Sequence, residues 1–505
     1  MRKPTRSSSP LKPDAGREDV RRRTKIVATL GPATDNGDVI EQLIRAGADV
    51  FRINFSHGTA ADQAARVSMV REVAGRVGRH IGIMGDLQGP KIRIESFKKG
   101  PVHLVEGSEF VLDTAMDPHD GDEHAVGCAY RNLTHDVVSG DTLLLDDGLI
   151  VLEVQNVEGT RIRCTVKLGG RLADHKGLNK QGGGLSAPAL TDKDRRDVEA
   201  AARFGLDFVS VSFARNADDI EEARALLRAA GGQGHIVAKI ERAEAVENIR
   251  DIIDASDVIM VARGDLAVEV GYASMTGLQK GLIRLARARN KVCITATQML
   301  ESMINTPSPT RAEVSDVANA VMDGTDAVML SAETAVGKYP VRAVKTMAEL
   351  CVGAEKHETF RRAANYRLED VFTHVDEAIA MAVMYVANHL EVRAIIALTE
   401  SGSTPLWMSR VRSHIPVFAC TRHESTRRRV SMYRGVYAVA FDVVSSDPAV
   451  VQESVFEALL SAGAVNPGDL VLLTKGDQHG VAGRTNSMQI LTVPGAIAAR
   501  SSASA

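Results

Sequence analysis

Apolar, strand-like runs alternate with helix-length amphipathic segments along most of this chain. The pattern predicts an α/β fold: a TIM-type (β/α)8 barrel, interrupted by an inserted all-β domain and followed by a C-terminal α/β domain. Three observations carry the prediction. Short apolar runs recur at the spacing of parallel βα units. After the third run, residues 88–187 abandon that rhythm for short alternating strands, Gly-rich turns and acidic loops. Each barrel run also stops at polar or charged side chains, more than packing requires.

In chain order, residues 1–22 come first. They hold Arg2, Lys3, Arg6, Lys12, Arg17, Arg21 and Arg22, with serines and prolines but no apolar segment. They read as a disordered basic tail, not a secretory signal. The barrel takes 23–87 and 188–360. Its first three strands are Lys25–Thr29, Asp49–Asn54 and His80–Asp86. Inside the insertion, Asp147-Gly148 is a hairpin signal and Ile162–Leu168 alternates like a half-buried strand. Gly182–Gly184 reads as the return hinge; it lacks the lysine and helix start of a phosphate loop. A helix capped by Thr191 reopens the barrel, with strands at Asp207–Phe213, His235–Ile240, Ser256–Ala262, Val292–Ala296 and Asp326–Leu330. Thr310 and Glu313 form a capping box. The C-terminal domain, 375–498, opens with a helix from Glu377 to Leu390 and a strand from Arg393 to Leu398; a further helix is expected from Pro405.

Composition narrows the function. The 505 residues are 44% hydrophobic and 25% charged, ordinary for large globular cores. A net charge of −3 and 4% aromatics give no case for nucleic acid or a membrane surface, and no apolar run reaches spanning length. The five cysteines are scattered without CxxC spacing, which points to a reducing, cytoplasmic setting without disulfides or zinc.

The chemistry should sit at the C-terminal ends of the barrel strands. Those ends carry Thr29, Arg52 with Asn54, Asp86, Ser212, Lys239 with Glu241, Asp265, Thr297, and Ser331 with Glu333. Lys239, Glu241 and Asp265 are the centre of the reading. Two carboxylates can hold Mg²⁺ and an ammonium can answer a phosphate. In the C-terminal domain, Ser401, Gly402, Ser403 and Thr404 precede a helix and either simply cap it or hold an anion on free N–H groups, with the loop Lys475–Asn486 as a candidate lid. No carboxylate cluster accompanies them, so that domain reads as regulatory.

Six motifs then meet a family: TKIVATLGPA from Thr24, RINFSHG from Arg52, GPKIR from Gly89, AKIE from Ala238, ARGD from Ala262 and ATQMLESM from Ala296. In this order the chain resembles pyruvate kinase from Arg23 to about Pro494. The resemblance implies phosphoryl transfer from phosphoenolpyruvate to ADP, a reaction that needs positioning and charge neutralisation. It implies Mg²⁺ on Glu241 and Asp265, and a second Mg²⁺ arriving with ADP. Lys239 and Arg52 would contact the phosphoryl group. Backbone N–H groups of Gly264 and Asp265 would take the substrate carboxylate, and Thr297 would lie by the face where the enolate is protonated. Pro32, Asn54, His57, Arg93, Lys176 and Lys193 would surround the nucleotide, and the inserted domain would close as a lid. A phosphorylated effector and a homotetramer are also implied.

One departure stands out. Many relatives carry Glu where this chain has Lys91, and bind K⁺ through the positions of Asn54, Ser56, Asp86 and Leu87. A lysine there is a tethered monovalent cation, so the expected enzyme needs no K⁺ and Lys91 fills that place. Ala267 and Ala332 replace usual glycines, which is tolerated where φ is negative. Two rival readings exist. A barrel lyase or aldolase acting on a 2-oxo acid would use Lys239 as a Schiff base, but acids around a lysine keep it protonated. A non-enzymatic binding protein would be expected to have lost part of the charged set, which is complete here.

Overall fold

The computed structural model describes residues 21–357, 371–443, 445, 447–477 and 483–495. Eight parallel strands close a barrel: Lys25–Thr29, Val50–Asn54, Gly82–Asp86, Phe208–Val211, His235–Ile240, Val258–Ala262, Val292–Ala296 and Ala327–Leu330. Successive side chains point to opposite faces of a strand. Val27, Met84, Val237, Met260, Ile294 and Met329 accordingly fill the barrel interior. Ile26, Ile83, Ile236, Ile259 and Val328 face outward and pack with the surrounding helices.

Five strands begin one or two residues later than the sequence suggests. The reason for most is an aspartate just before the strand that serves a neighbour. Asp49 accepts the Ile26 N–H (2.9 Å), Asp207 that of Ile83 (2.9 Å), Asp257 that of Ile236 (2.8 Å) and Asp326 that of Cys293 (3.0 Å). Carboxylates under the second, fourth, sixth and eighth strands thus cap the first, third, fifth and seventh. Each also holds an arginine: Arg22 on Asp49, Arg71 and Arg428 on Asp207, Arg224 on Asp257, Arg410 on Asp326. Arg22 was expected in the disordered tail, as was Arg21, which donates to the Gly463 carbonyl at 2.7 Å. Their partners lie far away in sequence, so no local pattern announces them. The rest of that tail, residues 1–20, lies outside the described residues.

The insertion has its own core, built from Phe110, Leu112, Leu143, Leu152, Ile162 and Cys164. Its main sheet has six strands and includes the hairpin of Thr142–Leu145 with Ile150–Glu158, turned by Asp146, Asp147 and Gly148 at positive φ. The C-terminal domain is a five-stranded sheet: four parallel strands, Val436–Ala440, Val417–Thr421, Ala394–Leu398 and Leu470–Lys475, and an antiparallel edge, Ser487–Thr492. Its Met408, Val430, Met432 and Tyr433 join the same apolar cluster as the barrel interior. This domain therefore floors the N-terminal end of the barrel and leaves the opposite mouth free. Among the described residues, no helix is long and apolar enough to cross a membrane.

Candidate active site

Lys239 and Glu241 are two residues apart at the end of the fifth strand, so both side chains reach the mouth. Lys239 Nζ lies 2.8 Å from Glu241 Oε1 and 3.4 Å from Asp86 Oδ1, and donates to Ser212 Oγ at 2.7 Å. Asp86 Oδ2 receives Arg52 Nε at 2.7 Å and Nη2 at 2.6 Å, and Arg52 Nη1 reaches Thr29 Oγ1 at 3.2 Å. The mouth thus gathers groups from the first five strands.

Burial acts against the Lys239 ammonium; Asp86 and Glu241 outweigh it and hold its pKa above the usual lysine value. The amine is therefore not the neutral nucleophile that a Schiff-base enzyme needs. Burial also acts against ionised Asp86, but Lys239 and Arg52 keep it below the ordinary carboxylate range. Glu241 moves the other way. Burial and then the neighbouring charge of Asp265 raise its pKa, against the pull of Lys239. Two carboxylates that repel in a buried place are a donor set that a divalent cation relieves. Among the described residues no three His, Cys, Asp or Glu gather into a metal cluster. A divalent cation held by these two carboxylates would need further ligands from outside the protein, which suits Mg²⁺.

Asp265 and Gly264 sit in the first turn of the helix Arg263–Val270, directly after the sixth strand. The Gly264 N–H, assigned by resemblance to the substrate carboxylate, donates to Thr297 Oγ1 at 2.8 Å. Thr297 has φ +66 and Gln298 φ +52, strained for side chains with a Cβ. Arg263 holds that turn, donating to the Thr297 carbonyl at 2.6 Å and to Asp316 at 2.6 Å. Ala267 and Ala332 are absent from the residues with positive φ, so their methyl groups cause no strain.

The monovalent-cation places differ from expectation. Asn54 Oδ1 accepts the Ser56 N–H at 3.0 Å, the Leu87 carbonyl accepts Ser212 Oγ at 2.8 Å, and Asp86 is committed to Arg52 and Lys239. Lys91 Nζ stands 3.8 Å from Asp265 Oδ1 instead. Its long stem crosses from the start of the insertion to the sixth strand, a reach that sequence spacing does not reveal.

The expected nucleotide residues fall on two bodies. Pro32, Asn54, His57 and Lys193 are on the barrel; Lys193 donates to the Phe55 carbonyl at 2.6 Å. Arg93 and Lys176 are on the insertion, bound to the His175 carbonyl (2.9 Å) and Asp146 (2.8 Å). No hydrogen bond or ion pair joins the two sets among the described residues.

In the C-terminal domain the helix begins at Ser403, two residues before Pro405, because Gly402 turns the chain at φ +87. Ser401 and Ser403 share a 2.8 Å hydrogen bond, and Thr404 Oγ1 meets Thr485 Oγ1 at 2.8 Å. The cleft there is lined by Ser401, Thr404, Arg422, Lys475 and Arg484. Residues 478–482 of the expected lid loop lie outside the described residues. Sequence reading missed Arg422, which an adjacent strand delivers, and Phe213. The Phe213 N–H, at φ +56, donates to Glu241 Oε2 at 2.8 Å, and nothing local in the sequence signals that turn.

Comparison with known proteins follows the same layout. The family model for the pyruvate kinase barrel domain matches residues 21–344, and that for the pyruvate kinase alpha/beta domain matches 377–491. Pyruvate kinase II of Salmonella typhimurium is 53% identical over 476 residues, covering 94% of this chain and 99% of that protein. The pyruvate kinase of Haemophilus influenzae is 49% identical with the same coverage. That of Geobacillus stearothermophilus is 42% identical over 93% of this chain and 80% of its own length. With both matched regions in place and relatives aligned almost end to end, this chain belongs to the pyruvate kinase family of phosphotransferases.

Proposed function

We propose that the barrel mouth transfers the phosphoryl group of phosphoenolpyruvate to ADP with Mg²⁺ held by Glu241 and Asp265, without a need for K⁺. The observation that carries this reading is the buried Lys239 ammonium between Asp86 and Glu241 at the open end of the barrel. Mg²⁺, when bound, supplies positive charge against the phosphate and enolate oxygens. Lys239 meets the moving phosphoryl group, where a fixed cation in a dry site counts most. Arg52, oriented by Asp86 and Thr29, adds a second contact. Gly264 and Asp265 offer N–H groups at a helix start to the substrate carboxylate, which displaces Thr297 Oγ1 from Gly264. Thr297 then faces the enolate carbon. Pro32, Asn54, His57 and Lys193 receive the nucleotide from the barrel side, and Arg93 and Lys176 from the insertion as it closes, with a second Mg²⁺ on ADP.

The K⁺-independent reading rests on charge. Lys91 brings a fixed monovalent cation into the mouth, 3.8 Å from Asp265, and so supplies the charge that a bound K⁺ would otherwise add. A phosphorylated metabolite is the proposed effector at Ser401, Gly402, Ser403 and Thr404, supported by the cations Arg422, Lys475 and Arg484 around that cleft. A cytoplasmic homotetramer completes the proposal. The test is a steady-state assay with phosphoenolpyruvate and ADP in tetramethylammonium salt, with and without Mg²⁺. Activity is expected to need Mg²⁺ and to change little on adding K⁺. A collapse without K⁺ rejects the role of Lys91, and Lys91→Glu is expected to create K⁺ dependence.

A further inference from the structure

The loop that follows the fifth strand does more than present Glu241. Arg242, the next residue, is 3% exposed, and its Nη2 donates to the Leu185 carbonyl at 2.7 Å. Leu185 lies on the linker that returns from the inserted domain to the barrel. Glu244 Oε1 takes the Gly184 N–H of that linker at 2.6 Å, and Arg242 Nε lies 3.7 Å from the other carboxylate oxygen of Glu244. Loop and linker therefore grip each other in both senses, as donor to a carbonyl and as acceptor from an amide.

The linker is shaped for this grip. Gly183 has φ +81, and a Cβ there would stand 2.6 Å from a Glu244 carboxylate oxygen. The neighbouring Ser186 N–H is bound by Asp136 of the inserted domain at 2.8 Å, so linker and domain move together. A third partner closes the junction. Glu269, on the helix that begins with Arg263, Gly264 and Asp265, accepts the Ala243 N–H at 2.9 Å through Oε2 and the Gly182 N–H at 3.1 Å through its carbonyl. Both carboxylates proposed to hold the divalent ion are thus fastened, through Arg242 and Glu269, to one short linker.

We infer that Arg242 is a positioning residue: it couples the seating of the inserted domain to the placement of Glu241, and through that to divalent-metal affinity. The inference rests on the metal assignment proposed above. The energetics favour joint movement over rupture. Arg242 Nη1 is already buried without a hydrogen-bond partner. Releasing Leu185 would strand a second donor of a buried cation, the costly kind of loss. When the linker shifts, the loop follows, and Glu241 moves with it. Arg242, Glu269, Lys91 and Asp265 also line one cavity of about 20 Å³, so the junction adjoins the site.

The test is Mn²⁺ binding to the full-length, nucleotide-free enzyme, followed by electron paramagnetic resonance. Arg242→Met is expected to weaken Mn²⁺ binding by about tenfold, the low end of the range for losing a direct partner of a metal ligand, because Arg242 acts on Glu241 through the chain. Arg242→Lys, which keeps one donor, is expected to recover part of it. Gly183→Ala attacks the same grip from the linker and leaves Arg242 intact; it is expected to weaken Mn²⁺ binding as well. Wild-type affinity in both Arg242→Met and Gly183→Ala overturns the inference, and so does a loss that merely tracks a fall in melting temperature. If the wild type takes up no Mn²⁺, or Glu241→Gln binds it undiminished, the metal assignment fails and the inference with it.

Discussion

Lys239 has three oxygen neighbours and belongs to none of them alone. Glu241, Asp86 and Ser212 surround its ammonium and fix its position, which suits the phosphoryl-contact role proposed for it. Lys239→Met is expected to lower kcat by about 10²–10³, the scale for deleting one preorganised donor in a dry site. Steady-state kinetics read the change, and an unaltered circular dichroism spectrum excludes misfolding. Lys239, Glu241, Asp265 and Arg52 were legible in the sequence because a charge ending an apolar run is costly unless it has work to do. Asp86 was legible as a site residue, but not as the carboxylate that orients Arg52. That role depends on the register of the second and third strands, which pairs Arg52 with Met84 and Asn54 with Asp86. The place of Lys91 beside Asp265 was hidden for the same reason: two chain segments far apart in sequence decide it.

Among the elements, the helix Glu424–Val430 shows how the C-terminal domain meets the barrel. It sends Arg428 to Asp207 and Arg429 to His235, at the starts of the fourth and fifth strands. Arg429 Nη1 donates to His235 Nε2 at 2.9 Å, which requires neutral imidazole. Burial first, with Arg429 among the nearby charges, lowers the His235 pKa to about 4. The unfolded histidine takes its proton near pH 6.5, ahead of the folded one. This contribution is therefore complete above about pH 6.5 and is lost as pH falls towards 4, up to about 3 kcal/mol at about 1.4 kcal/mol per unit. Urea unfolding midpoints across that window are expected to drop, and His235→Gln, which still offers Arg429 an acceptor, is expected to flatten that part of the profile. The eight strands themselves were readable from apolar runs. The first residues of four of them were not, because an aspartate that caps the neighbouring strand looks in sequence like part of its own.

At the scale of the molecule, the barrel and the C-terminal domain share one apolar cluster and are pinned by Arg410 on Asp326, both side chains about 1% exposed. Removing one partner leaves a buried charge. Arg410→Met is expected to cost about 3–5 kcal/mol, visible as a lower urea midpoint and as unfolding of the two parts in separate steps. The order of domains could be read from the changing rhythm of apolar runs, but the seat of one on the other could not. The aspartate floor described above has a consequence in time. Asp326 emerges from the ribosome 84 residues before Arg410, and Asp207 emerges 221 residues before Arg428. At about 5–20 residues per second, the first gap alone lasts about 4 to 17 seconds. Through most of that interval the nascent barrel has all its strands but lacks the guanidinium that pairs with Asp326.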